Sequence, residues 1–147
     1  MSLRQTDRGD KMRQVQIKDI VKAVGGKLVW GDENATVTNV STDSREVKTG
    51  TLFVPIIGER VDAHRFIPDV MTKGALATLS ERELPEADYA YIQVDASLQA
   101  VKDIAEFYLE QLQIPVVGIT GSVGKTSTKE TIASVLAQKY RVLKTDA

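Results

Sequence analysis

The sequence predicts an α/β protein in two parts: a small mixed-sheet α/β N-terminal domain, followed by the first βαβ unit of a truncated P-loop, Rossmann-like domain. Three observations carry this. Short β-branched runs alternate with segments of helical spacing through residue 112. The stretch Val116-Val117-Gly118-Ile119-Thr120-Gly121-Ser122-Val123-Gly124-Lys125-Thr126-Ser127-Thr128 reads as apolar strand, glycine-punctuated turn and helix start. Between the two, the polar Gln111-Leu112-Gln113 leads into Ile114-Pro115, so domains are expected at residues 12–112 and 113–147.

Ile17, Ile20, Val21 and Val24 form one apolar face of a helix over residues 16–24, stopped by Gly25-Gly26. Residues 27–30 and 36–40, separated by the Gly31-Asp32 turn signal, predict two short strands in a hairpin-like arrangement. Residues 51–57, between Gly50 and Gly58, predict a buried strand. Residues 62–73 predict a helix with Phe66, Ile67, Val70 and Met71 inward, provided that Pro68 falls in its first turn, and Gly74 suits its C-terminal end. Strands follow at 76–79 and 91–94, around an acidic loop containing Pro85. Ser97 is the expected N-cap of a long helix with Leu98, Val101, Ile104, Ala105, Tyr108 and Leu112 on one side. The closing βαβ unit is expected as strand 115–120, helix 125–139 and strand 141–144. Its apolar Val116, Val117 and Ile119 call for cover on both faces of a parallel sheet.

Composition removes several classes of function. A chain of 147 residues accommodates one domain, or one domain and part of another. With 42% hydrophobic and 27% charged residues it reads as an ordinary globular protein. A formal net charge of -1 offers no electrostatic attraction to nucleic acid or to an anionic membrane. The absence of cysteine removes disulfides, thiolate metal sites and a cysteine nucleophile, and the single histidine, His64, makes no metal cluster by itself. The longest uncharged run, residues 111–124, is too short and too broken by Pro115 and its glycines to insert in a membrane. Residues 1–11 are polar and lack the apolar segment of a secretory signal, and Met12 precedes the first periodic segment. They read as a leader or vector-derived extension, and the expected location is cytoplasmic.

The chemistry concentrates in the glycine loop. Gly121 and Gly124 let backbone N–H groups close on a polyphosphate, and the helix that follows adds unpaired N–H groups and the positive end of its dipole. Lys125 supplies a point charge to the terminal phosphates, and the Thr126 hydroxyl is suited to a magnesium ion (Mg2+). Residues Gly121, Ser122, Val123, Gly124, Lys125, Thr126 and Ser127 are therefore the candidate ATP site, with Lys125 and Thr126 the candidate catalytic groups and Thr126 the candidate metal ligand. The general pattern has glycine where this chain has Ile119, so only the shorter G-x-x-G-K-T form is present. That departure argues against an ordinary P-loop kinase or GTPase.

Several stretches together resemble the Mur ligases, cytoplasmic ATP-dependent amide-forming enzymes of peptidoglycan precursor synthesis. The loop over residues 118–127 is similar to theirs, including the missing first glycine. Thr42-Asp43-Ser44-Arg45 followed by Gly50-Thr51-Leu52-Phe53-Val54 resembles the D-[ST]-R…G-x-L-F-V segment of their uridine-nucleotide-binding first domain. Gly58-Glu59-Arg60-Val61-Asp62-Ala63-His64-Arg65-Phe66 resembles the run found in the branch that joins D-alanyl-D-alanine to UDP-N-acetylmuramoyl-tripeptide. The branch adding the third amino acid usually has D-G in place of Asp62-Ala63. Thr128-Lys129-Glu130 fits the former branch as well.

The resemblance covers residues 12–147: the first domain and the opening of the ATPase domain. It implies that Thr42, Ser44 and Arg45 hold the uridine nucleotide and that Glu59, Arg60 and Val61 line the loop facing it. It also implies ATP and magnesium as cofactors, UDP-N-acetylmuramoyl-tripeptide and D-alanyl-D-alanine as partners, and an acyl-phosphate reaction. The family's acidic magnesium ligand, modified lysine and D-alanyl-D-alanine-binding domain would lie beyond Ala147. The fragment is expected to be inactive alone and able to self-associate, while the full-length enzyme is expected to be monomeric. The other readings are a ligase adding the third amino acid and a non-catalytic nucleotide-binding module.

Plainer readings of the same residues stand beside these. Ser44 and Arg45 are also suited to capping a turn and pairing with Asp43. His64 suits a helix start with a satisfied ring, and Asp43 and Asp62 suit turn and N-cap carboxylates. The acidic stretch 81–88 reads as a solvated loop, and Phe107 and Tyr108 as core.

Overall fold

A computed structural model of the protein describes residues 14–85, 87–113 and 115–145; the expected leader, residues 1–11, lies outside them. The chain divides into two compact units, Met1–Gln113 and Ile114–Ala147.

In the first unit, β1 (Val15–Gln16) pairs antiparallel with β3 (Thr36–Val37) beside a five-stranded sheet. That sheet has the order β2 (Lys27–Trp30), β7 (Tyr91–Gln93), β6 (Ala77–Ser80), β5 (Thr51–Phe53), β4 (Asn39–Ser41). Strands β4 to β7 are mutually parallel, and β2 joins β7 antiparallel at one edge. The expected hairpin of residues 27–30 with 36–40 does not form. Its first strand pairs with β7, and its second divides, β3 going to β1 and β4 to β5. Local turn signals cannot foresee these partners, which come from distant segments.

Alternation along the strands assigns the two faces. Leu52, Val54, Ala77, Leu79, Ile92 and Val94 meet Ile17 and Ile20 of α1 (Ile17–Val24) and Ala100 and Ile104 of α3 (Ser97–Leu112). On the other face, Phe53 packs with Val47, Ala75 and Ile67 and Val70 of α2 (Ile67–Thr72). The strand from Thr51 is shorter than its apolar run. Val54 N–H still donates to Ser41 O at 2.9 Å, and Pro55, which has no N–H, ends the ladder. Proline shapes the next helix too. Ala63–Phe66 form a 3-10 turn, and α2 starts at Ile67 with Pro68 in its first turn. Gly26 is a glycine because β7 runs close by: a Cβ there would meet Gln93 O at 2.7 Å.

The long helix α3 departs from its expected cap and, in part, from its expected face. Ala96 occupies the cap, Ser97 is the first helical residue, and the Glu81 carboxylate accepts the Ser97 N–H at 2.7 Å. A side chain distant in sequence thus does the capping. Ser97, Ala100 and Ile104 are buried, with Val101, Phe107 and Tyr108 packed beside them, whereas Leu98 is 59% exposed and Ala105 is exposed. The inward stripe therefore runs through Ser97, Ala100 and Ile104 rather than through Leu98 and Ala105.

In the second unit α4 (Lys125–Leu136) forms as expected, but ends at Leu136 and passes into turns through residue 140. Neither flanking segment is a strand among the described residues. Val116 and Val117 are 70% and 59% exposed: an extended segment becomes a strand only beside a hydrogen-bonding neighbour, and none is present among the described residues of this unit. The segment after α4 is held by side chains instead. Lys129 Nζ donates to Thr145 O at 2.7 Å, and Lys144 pairs with Glu130.

The rotation of α3 is testable. Ile104→Ala should cost about 2–5 kcal/mol in urea unfolding, and Leu98→Ala should stay within about 0.5 kcal/mol. Equal costs would show that the helix packs on the face read from the sequence.

Candidate functional site

The first candidate cluster lies at the C-terminal edge of the parallel strands, the edge at which α/β sheets present ligand-binding loops. Thr42 follows β4 directly and is exposed, Ser44 is half-buried, and the Arg45 side chain is 86% exposed. Asp43 organises the turn. Its Oδ1 accepts the Arg45 N–H at 2.9 Å and the Arg45 Nε–H at 2.9 Å, and its Oδ2 accepts from Arg45 Nη2 at 2.6 Å. The plainer reading of Arg45 as a partner of Asp43 is therefore present in the structure. The hydrogen bonds from the Arg45 guanidinium hold the Asp43 carboxyl down to about 2. Ser44 contributes its carbonyl to Lys73 Nζ at 3.4 Å.

Glu59, Arg60 and Val61 sit exposed on the loop after β5. Ile57 and Asp62 bridge across the loop, Gly58 N–H donates to Val61 O at 2.9 Å, and Ala63 N–H donates to Ile56 O at 3.1 Å. Asp62 caps the 3-10 turn by accepting the His64 N–H at 3.0 Å. The same carboxylate accepts from His64 Nδ1 at 2.7 Å and pairs with the Arg82 guanidinium. These partners, the His64 N–H foremost, lower the Asp62 carboxyl below its ordinary range. His64 is buried, and its Nε2 accepts the Glu81 N–H at 3.1 Å. Both ring nitrogens are thus used, as the plainer reading expected. Arg82 and Glu81 carried no sequence signal for this role, because their partners lie 20 and 17 residues upstream.

The second cluster is the glycine loop. Gly124 stands at the cap of α4 with φ 78, a left-handed conformation that disfavours residues with a Cβ, and a Cβ there would meet nothing within 4 Å. Gly121 has φ 151. The first turn of α4 has no side-chain cap and no acidic residue, so its N–H groups and dipole remain available to an anion. Ser122, Val123, Lys125, Thr126 and Ser127 are exposed. Lys125 makes no hydrogen bond or ion pair among the described residues, whereas Lys129 and Lys144 both lie against Glu130. The loop therefore fits a polyphosphate. Thr126 could give a magnesium ion one oxygen, and no cluster of three or more metal-ligating side chains occurs among the described residues.

The family profile described as "Mur ligase family, catalytic domain" matches residues 36–109. The chain belongs to the Mur ligase family. It is 40% identical over 132 residues to the UDP-N-acetylmuramoyl-tripeptide--D-alanyl-D-alanine ligase of Bacillus subtilis, covering 88% of this chain and 29% of that protein. It is also 40% identical over 129 residues to the UDP-N-acetylmuramoyl-L-alanyl-D-glutamate--2,6-diaminopimelate ligase of Bacteroides thetaiotaomicron, covering 85% of this chain and 26% of that protein. Among solved structures, the MurF ligase of Thermotoga maritima in complex with ADP matches with a TM-score of 0.65 at 36% identity, covering 74% of this chain and 25% of that one. The chain thus spans less than a third of the length of these relatives. The family match ends before the glycine loop, so the sheet and its edge carry it. No helix among the described residues is long and apolar enough to cross a membrane.

The Asp43 pair makes a pH prediction. A depressed carboxyl contributes stability that is complete above its ordinary value of 3.8 and is lost as the pH falls toward about 2. Carboxyl NMR titration should place Asp43 near 2 and return it toward the ordinary value in Arg45→Ala. An unchanged midpoint in that variant would show that the guanidinium is not the cause.

Proposed function

We propose that this chain is the front portion of an ATP-dependent amide-forming Mur ligase, the one joining D-alanyl-D-alanine to UDP-N-acetylmuramoyl-tripeptide. The observation that carries the ATP half is Lys125: exposed, free of any partner among the described residues, and seated at an uncapped helix start in a member of this family. An ADP-bound relative supports nucleotide binding as the shared property. The Gly58-Glu59-Arg60-Val61-Asp62-Ala63-His64 run favours the D-alanyl-D-alanine branch. The similarity to a diaminopimelate-adding relative keeps addition of the third amino acid as the second reading. Identifying the amino component used by the full-length protein separates the two.

In the proposed reaction the tripeptide carboxylate takes the terminal phosphoryl group of ATP, releasing ADP. The D-alanyl-D-alanine amine then attacks the acyl carbon, phosphate leaves, and the nitrogen loses a proton. Lys125 would neutralise phosphate charge, and the N–H groups around Gly121, Ser122, Val123 and Gly124 and of Ser127 would cradle it. Thr126 would hold magnesium, which supplies charge neutralisation on the phosphates. Thr42, Ser44, Arg45, Glu59, Arg60 and Val61 would hold the uridine nucleotide, over a first domain at residues 12–112. The cytoplasm is the proposed location, where ATP and nucleotide-sugar precursors are found.

Lys125→Ala should weaken ATP binding by this chain by at least about tenfold in calorimetry, the loss expected for a charged phosphate contact; unchanged affinity would mean that the loop is not the site. The 147-residue chain alone should yield no amide product, and a detectable product in a mass-spectrometric assay would overturn its reading as one part of the enzyme.

A further inference from the structure

His64 is a buried polar side chain with both ring nitrogens bonded inside the first unit. It is buried, and a buried imidazole is tolerated only when its polar atoms are bonded. Because Nε2 accepts the Glu81 N–H, the ring is the tautomer whose Nδ1–H donates to Asp62. With both nitrogens spent inside the protein, the ring has nothing left for a ligand, a metal or a transferred proton.

Its two partners lie on different loops of the same sheet edge. Asp62 closes the loop that carries Glu59, Arg60 and Val61, whose base is held by the Ile57–Asp62 bridge and by the Gly58–Val61 and Ala63–Ile56 backbone bonds, all internal to the loop and its stem. Glu81 follows β6, and its carboxylate accepts the Ser97 N–H at the start of α3. Arg82, next along, reaches the same Asp62 carboxylate. The chain of bonds therefore runs from the exposed loop, through Asp62 and the ring, to the end of β6 and the first turn of α3.

We propose that His64 is a positioning residue for nucleotide binding. It never touches the ligand, and it sets the loop at residues 57–62 against the ends of the parallel strands by tying Asp62 to the backbone of Glu81. This rests on the reading of that edge as the uridine-nucleotide site. Imidazole suits the task because it presents a donor and an acceptor on opposite sides of one rigid ring. An apolar replacement leaves the Glu81 N–H unpaired and Asp62 Oδ1 with only the residue-64 backbone N–H, so the loop loses its tie to β6 and must be ordered at the expense of ligand binding.

The test uses the 147-residue chain, with UDP as the probe and ATP as the control, both by calorimetry, and thermal unfolding to establish that each variant is folded. His64→Leu should weaken UDP binding by about tenfold and leave ATP binding within about twofold. His64→Gln, whose amide oxygen can still accept the Glu81 N–H, should recover most of the loss. Unchanged UDP affinity in folded His64→Leu overturns the proposal, as does equal weakening of UDP and ATP, which would mark a general loosening. If His64→Leu does not fold, Asp62→Asn reads the same tie, because its amide must oppose either the Arg82 guanidinium or the His64 ring N–H. It should weaken UDP binding by about threefold, and no change overturns the proposal. Failure of the unaltered chain to bind UDP overturns the nucleotide-site reading itself, and the positioning role with it.

Discussion

The parallel pairing of β4, β5, β6 and β7 is the constraint on which the first unit depends. Parallel strands all finish at one edge, so the segments that follow them must emerge together there. Residues 42–45, the loop at 57–62, Glu81 and Arg82 are neighbours for that reason alone. Burial of β5 and β6 on both faces makes the pairing obligatory: each strand N–H and C=O withdrawn from water needs a partner, and only the adjacent strands supply enough of them.

Polar side chains at this edge are largely committed to building it. The carboxylates of Asp43, Asp62 and Glu81 each accept a backbone N–H, and two of them also take an arginine. These bonds give shape to loops that have little apolar anchorage. Directed to solvent are Thr42, the outer part of the Arg45 guanidinium, residues 59–61 and much of the Arg82 side chain. An edge of this kind is braced by hydrogen bonds underneath and chemically open on top.

The second unit has the reverse economy. Its loop is open because so little is spent there: α4 begins at a left-handed glycine without a side-chain cap, and Lys125 is uncommitted among the described residues. The segments on either side of α4 are apolar and exposed, with Val116 and Val117 in front and Leu143 behind. The local geometry for an anion is formed by the loop and helix start, while no strand forms in this unit among the described residues.

Much was legible in the residues themselves. The spacing of Ile17, Ile20 and Val24, the Gly25-Gly26 stop, the Pro68 position and the Gly121 to Lys125 pattern all depend on neighbours within a turn or two. The family resemblance of 42–45 and 50–54 is likewise a property of contiguous residues. Pairing partners were not legible. Residues 27–30 chose β7 rather than the nearby strand, α3 took its cap from Glu81 rather than Ser97, and Arg82 found Asp62 across the sheet edge. Local periodicity, turns and loop chemistry are written in the sequence because short-range sterics and backbone bonding dictate them. Strand order, the rotation of α3 and the tie through His64 required the folded chain, because they join groups that only burial brings together.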